Sequence, residues 1–228
     1  LVKELLATGL LVRHAANASL VLAPVQVYPV DLDDGTTLLV ATDWPIESVH
    51  LASASRVMPI GVDSLTLALG MPAGLCANKR VLDVCCGSGI QALAAAAAGA
   101  SHVTASDISP RAVRFTQFNA ALNAQPSVIA LCGDGLDAVR GERFDVILAN
   151  PPFVAVPPGV SDDAALYVTG GADGADFVRR LMRDADGALA RGGCLLVVTQ
   201  LPNPDEAHSW LARASGGALE VGFVYDPR

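Results

Sequence analysis

The sequence predicts an α/β fold in which a mostly parallel, doubly wound sheet carries helices on both faces, with a small β-rich appendage at its N-terminal side. Three observations predict it. From about residue 80, short apolar runs alternate with helix-forming runs, the pattern of parallel strands joined by crossover helices. The apolar run 81–85 passes through the small residues Cys85-Cys86-Gly87-Ser88-Gly89 into an alanine-rich segment, which is a strand–loop–helix unit. Residues 1–58 instead show short β-like runs without that alternation.

The elements follow in order. Residues 2–8 read as a short helix stopped by Gly9, followed by β-like runs at 10–13, 19–22, 25–32 and 36–41. Asp33-Asp34-Gly35 between the last two is a hairpin signal, because glycine after aspartate tolerates the positive φ of a tight turn. This first part, 1–58, is expected to be a β-rich or winged-helix-like unit without chemistry of its own, and 59–228 the main domain. In the main domain strands are expected at 81–85, 103–106, 128–131, 146–149, 195–199 and 219–225, and helices at 90–98, 110–122, 173–190 and 204–214. Pro110 suits the first turn of its helix, and Gly192-Gly193 is expected to end the third helix.

Composition excludes several classes. Of 228 residues, 52% are hydrophobic and 17% charged, which rules out disorder. No apolar run reaches the roughly 18–20 residues of a membrane span, and Lys3, Glu4, Arg13 and His14 interrupt the N-terminal stretch, so no secretory signal is read. Fifteen basic against 23 acidic residues give a net charge of −8, which disfavours a nucleic-acid partner. The five cysteines lack metal-site or disulfide spacing, so buried free thiols in a reducing, cytoplasmic compartment are expected, with no metal. His14, His50, His102 and His208 show no general-base signature.

Four motifs carry chemistry. In the first, Gly87 and Gly89 let a ligand approach the backbone at a helix N-terminus. It is not a dinucleotide fingerprint: Cys85 takes the first glycine position, Ala92 the third, and Asp83 sits in the strand end, where an acid suits a cationic amino-acid ligand. In the second, Asp107 closes the next strand and suits a ribose diol, or alternatively a helix N-cap before Pro110. In the third, Cys132-Gly133-Asp134-Gly135 offers an acid to an exocyclic amine, or forms a plain turn. In the fourth, Asn150-Pro151-Pro152-Phe153 follows a buried strand. Its prolines remove two N–H donors, so the loop presents two acceptors, the Asn150 side-chain oxygen and the Pro151 carbonyl, to a planar NH₂ group, with Phe153 offering a flat face.

In this order and spacing, Asp83 to Gly89, Asp107, Asp134 and Asn150-Pro151-Pro152-Phe153 resemble the class I S-adenosylmethionine (SAM)-dependent methyltransferases, and among them the small-domain superfamily. The resemblance covers roughly 58–200. Residues 60–65 sit where that group has a segment over the SAM site. Gly170-Gly171-Ala172-Asp173-Gly174, an Arg-containing helix and Gly192-Gly193 are similar to the release-factor glutamine N5-methyltransferase branch. Two positions depart from the pattern: Cys85 replaces the first glycine of D-x-G-x-G-x-G, and Phe153 replaces a tyrosine.

The resemblance implies a Rossmann-like fold with SAM held by Asp83, Cys85, Gly87, Gly89, Asp107, Ile108, Asp134, Gly135 and Asn150. It also implies that Asn150, Pro151, Pro152 and Phe153 serve catalysis. Methyl transfer goes in line to a planar amide or amine nitrogen, on a protein or peptide glutamine or on a small molecule. The competing functions are a nucleic-acid base N-methyltransferase and a nicotinamide-dependent oxidoreductase. The group's sheet has seven strands. Six are readable, so a last C-terminal strand is expected to be missing from this chain or supplied from elsewhere.

Overall fold

The computed structural model describes residues 1–7, 11–14, 17–44, 56–156, 168–200 and 207–216. The N-terminal part holds α1 (Val2–Ala7), β1 (Val12–His14), β2 (Asn17–Leu22), β3 (Gln26–Asp31) and β4 (Thr37–Thr42). Then come α2 (Val62–Leu69), β5 (Arg80–Val84), α3 (Ile90–Ala97), β6 (His102–Asp107), α4 (Pro110–Leu122), β7 (Val128–Cys132), β8 (Phe144–Ala149), α5 (Asp176–Ala188), β9 (Leu189–Val197) and α6 (Ala207–Ala214). Among the described residues, no helix is long and apolar enough to cross a membrane.

Strands β5 to β9 form one sheet in the order β7-β6-β5-β8-β9, every neighbouring pair parallel. The chain enters this sheet in the middle, builds outward to β7, and returns to the other side of β5 with β8. That reversal leaves a crevice at the carboxyl ends of β5 and β8, where open α/β sheets bind ligands. Both faces are covered, as the continuous apolar runs require. Val81, Val103, Val146 and Leu148 pack with Ala92 and Val113 on one face; Leu82, Val84 and Ile147 pack with Leu181 and Ala185 on the other. Helix α4 starts as expected: Ser109 Oγ accepts from the Ala112 N–H, and Pro110 occupies the first turn.

Hairpin β3–β4 turns at Gly35, whose φ is +84°, with the Thr36 N–H held by Asp34 Oδ1 at 2.8 Å. It shares a core with the domain that follows, since Val30, Leu38 and Val40 pack against Ile90, Leu93 and Ala120. Two asparagines four residues apart, one on α4 and one at its C-cap, pair with the backbone of β4. Asn119 bonds both N–H and C=O of Ala41, and Asn123 does the same at Leu39. They act as a substitute strand and satisfy an edge that would otherwise stay open. By contrast, the described residues of β2 are all exposed.

Two expectations meet a different structure. Gly192-Gly193 do not end a helix: α5 stops at Ala188, and both glycines lie inside β9. The pairing slips between Phe144↔Leu189 and Val146↔Cys194, so residues 190–193 bulge out. Gly192 takes φ +75°, and a Cβ on Gly193 would stand 2.9 Å from the Asp145 carbonyl oxygen. All five cysteines are free, but not all are buried. Cys76 and Cys86 are, Cys85 and Cys194 are half-buried, and Cys132 is exposed because it ends edge strand β7. The main sheet has five strands among the described residues. The expected strand 219–225 and any strand after it lie outside them, as do His50 and the side chain of His208.

Candidate active site

The loops after β5, β6, β7 and β8 converge on the carboxyl edge of the sheet, and each holds one of the four motifs. The first loop is wound tightly. Its residues Cys85, Gly87 and Gly89 all take positive φ, at 60°, 53° and 82°. A Cβ on Gly87 would meet nothing within 4 Å, so its Cα faces open space where a ligand can touch backbone. At Gly89 a Cβ would stand 2.7 Å from Thr116 Cγ2, so this glycine lets the loop close on α4. Thr116 Oγ1 donates to the Gly87 carbonyl at 3.2 Å, and Asn119 Nδ2 to the Ser88 carbonyl at 2.8 Å. Helix α4 therefore holds the loop's shape from below.

Cys85 is a non-glycine residue in a left-handed conformation, in the position where the sequence pattern has glycine. A β-branched side chain tolerates that region worst. Cys85→Gly is expected to leave the melting temperature within about 2 °C, because relief of strain offsets lost packing. Cys85→Val is expected to cost about 1–2 kcal/mol and lower it by roughly 2–8 °C. A thermal melt checks this, and a Val variant at least as stable as the Gly variant contradicts it.

Asp83 points to the α3 face and is fully buried. Its Oδ2 accepts from the Ala92 N–H at 3.0 Å, and its Oδ1 has no partner among the described residues. Burial pushes its pKa up to about 8, an effect opposed by the Ala92 bond and assisted by Asp107. Asp107 is held by two backbone donors, Gly87 N–H at 2.9 Å and Ser109 N–H at 2.8 Å, and burial raises its pKa despite them. It is not the N-cap of α4, since Ser109 fills that role. Next to it, Ile108 is 51% exposed, a large apolar side chain left facing outward at the site.

Asp134 is engaged by a residue that the sequence did not single out. Arg180 on α5 donates to both its oxygens, at 2.7 and 2.5 Å, and this guanidinium holds the carboxyl below the usual range. Arg180 also stacks on Phe177, 5.0 Å from the ring centre. Gly135 takes φ +56°, a left-handed turn in which glycine is unstrained.

The fourth motif leaves β8 beside the first. Asn150 Nδ2 donates to Asp63 Oδ2 on α2 at 3.2 Å. Pro151 is buried, Pro152 and Phe153 half-buried. Beyond Asn150 this loop is braced by backbone bonds: Val154 N–H donates to Val168, Gly170 N–H to Val154 and Val156 N–H to Gly171. A Cβ on Gly170 would stand 2.7 Å from Phe153 Cα and 2.8 Å from the Pro152 carbonyl oxygen, and one on Gly174 would clash with the Phe153 carbonyl oxygen. The glycine-rich segment is therefore the floor of the Asn150 loop.

A strand order that runs outward from the centre and back, with the four motif-bearing loops on one edge, defines the class: a doubly wound, Rossmann-like α/β sheet, which in the family that matches this chain takes SAM as the methyl donor. The methyltransferase small domain family matches residues 60–216, and the chain belongs to it. The release factor glutamine methyltransferase of Clostridium acetobutylicum is 38% identical over 128 residues, 51% of this chain and 45% of that protein. The ribosomal protein uL3 glutamine methyltransferase of Bordetella pertussis is 37% identical over 127 residues, 52% of this chain and 43% of that protein. The chain thus spans about half the length of these curated relatives. Among solved structures, the T. thermophilus 16S rRNA guanine N2-methyltransferase, in complex with AdoMet and guanosine, superposes with a TM-score of 0.59 at 21% identity. That match covers 90% of this chain and 52% of that one, and shows the shared fold.

The residues present fit SAM. Gly87 leaves a cradle open, Asp83 holds an orphaned buried oxygen, Asp107 closes the second strand, and Ile108 offers an exposed apolar face. Sequence reasoning missed Arg180, Asn119 and Thr116. Asp63 lay in a segment placed over the site but drew no role. A Gly-x-Asp opening a helix was its only signal.

Proposed function

We propose that this chain is a SAM-dependent N-methyltransferase acting on the side-chain amide nitrogen of a protein glutamine in the cytoplasm. One observation carries the reading: Asn150-Pro151 leaves β8 directly beside the Gly87 loop of β5, offering acceptors where two proline nitrogens cannot donate. The relatives named for glutamine methylation support the acceptor, and five free thiols support a reducing compartment.

On this reading Asp83, Cys85, Gly87, Gly89, Asp107, Ile108, Asp134 and Gly135 hold the cofactor. Asp134 ends the β7 side and Asn150 the β8 side, three strand spacings apart, roughly 14 Å. That span suits an elongated ligand with its adenine end at β7 and its reacting end at β8. Bound SAM supplies a methyl group activated by a sulfonium.

The protein's own part is orientation. An amide nitrogen is a poor nucleophile because its lone pair is delocalised. Asn150 Oδ1 and the Pro151 carbonyl accept the two N–H groups and favour pyramidal nitrogen. They also stabilise the positive charge that develops on it. Phe153 and Ile108 exclude water. The nitrogen loses its proton after transfer, and no strong base is required beforehand. Of the histidines with described side chains, His102 starts β6 at the opposite end of the strand from the site.

The test incubates the purified protein with labelled SAM and, separately, release factors, ribosomal protein uL3 and bulk RNA from the same organism. A single methyl mapped by mass spectrometry to a glutamine is expected. Label appearing on an RNA base and on no protein overturns the proposal.

A further inference from the structure

We propose that Asp63 is a positioning residue that fixes which end of the Asn150 carboxamide meets the methyl acceptor. The inference rests on the N-methyltransferase reading and adds a specific part to it. Asn150 Nδ2 and Asp63 Oδ2 are 3.2 Å apart, although 87 residues separate them in the chain. A carboxylate accepts and does not donate, so the nitrogen end of the amide is the end that faces Asp63. The oxygen end is thereby turned away, and among the described residues it meets no donor.

An unrestrained carboxamide presents its N and O ends with almost the same shape. Facing the NH₂ group of an acceptor, the wrong end sets donor against donor. Asp63 removes that state. It also draws the amide N–H toward a negative charge, which polarises the group and makes Oδ1 a stronger acceptor. Both effects act in the direction that transfer needs, since positive charge develops on the acceptor nitrogen.

Asp63 is itself held in place. It lies in the first turn of α2 and is half-buried. A Cβ on Gly61 would stand 2.7 Å from Asp63 Oδ1, so glycine leaves the room into which this carboxylate folds back. The next residue, Ser64, is buried, and its carbonyl accepts from Gln91 Nε2 at 3.3 Å. Gln91 belongs to α3, the helix that the Gly87 loop opens. The backbone next to Asp63 is thus tied to α3, the helix that follows the cofactor loop, and the Asp63 carboxylate reaches Asn150 from there.

A double-mutant cycle tests this. Wild type, Asp63→Ala, Asn150→Ala and the double variant are compared for kcat and acceptor KM on a release factor and on ribosomal protein uL3, and for SAM Kd by calorimetry. Asp63→Ala is expected to lower kcat about tenfold with SAM Kd unchanged, in keeping with loss of one charge-assisted hydrogen bond. The double variant is expected to be no slower than Asn150→Ala alone, because Asp63 acts through that side chain. Asp63→Asn, whose oxygen still accepts from Asn150 Nδ2, is expected to recover activity to within about threefold of wild type. Unchanged kcat in Asp63→Ala overturns the proposal, as does an additive double variant or a loss explained wholly by weaker SAM binding. Full transfer by Asn150→Ala is a different result, and it overturns the N-methyltransferase reading itself.

Discussion

Asn150→Ala is expected to lower turnover about 10²–10³-fold, roughly 3–4 kcal/mol, because it deletes one of two preorganised acceptors aimed at developing charge. SAM affinity is expected to stay within about twofold. Asp107 ends β6 and Asp134 lies in the loop after β7, each carboxylate fixed by partners of its own, Gly87 and Ser109 for one and Arg180 for the other. Single-turnover transfer and calorimetric SAM binding, measured on the same preparation, separate the two effects. Asn150→Asp is expected to be worse than its retained oxygen suggests. It sets a second carboxylate against Asp63, and two acids that close cannot both ionise without cost. If Asn150→Ala keeps its turnover and weakens SAM binding, this loop belongs to the cofactor site, and nitrogen loses its advantage over oxygen or carbon as the methyl acceptor.

Gly170→Ala is expected to be nearly as damaging without touching any group that reacts. The added Cβ would meet the Gly174 carbonyl oxygen at 2.5 Å, Phe153 Cα at 2.7 Å and the Pro152 carbonyl oxygen at 2.8 Å. All three are backbone atoms, so no flexible side chain can yield and the Asn150 loop must move. A displacement of about 1 Å at a reacting site costs on the order of 10² in rate, and overpacking costs about 1–3 kcal/mol of stability. Gly187→Ala on α5 is the matched control, because its Cβ would meet nothing within 4 Å and alanine favours the helix. Turnover and melting temperature of the two variants give the comparison. Wild-type turnover in Gly170→Ala would show that the bracing segment does not set the loop's position.

Much of the sheet was legible because β5, β6 and β8 are buried on both faces, with largely apolar sequences in β5 and β8 and small residues in β6. The helix 110–122 was placed to the residue, since Pro110 marks its start chemically and Ser109 caps it. Gly192-Gly193 misled for a physical reason: glycine marks any positive φ or close backbone approach, and a helix end is only one of these. Here the cause was a bulge against β8, set by a neighbour distant in sequence. The acid positions at 83, 107 and 134 were found from their places at strand ends, yet their partners were not. Asp134 read as an unengaged acceptor, whereas Arg180, 46 residues later, holds both its oxygens.

By itself the sequence determined the order of strands and helices from β5 onward, the four motif-bearing loops and the residue types in them, because these depend on local periodicity and on the backbone preferences of glycine and proline; α2 was not read from it. Tertiary structure alone decided which side chains those loops meet. Asn119 and Asn123 complete the edge of β4, Arg180 pairs with Asp134, Gly170 supports Phe153, and Asp63 turns the Asn150 carboxamide. Each joins elements tens of residues apart or fills a gap that only packing creates. A chain read one residue at a time carries the chemistry of a group but not its neighbour, and a hydrogen bond needs both within about 3 Å.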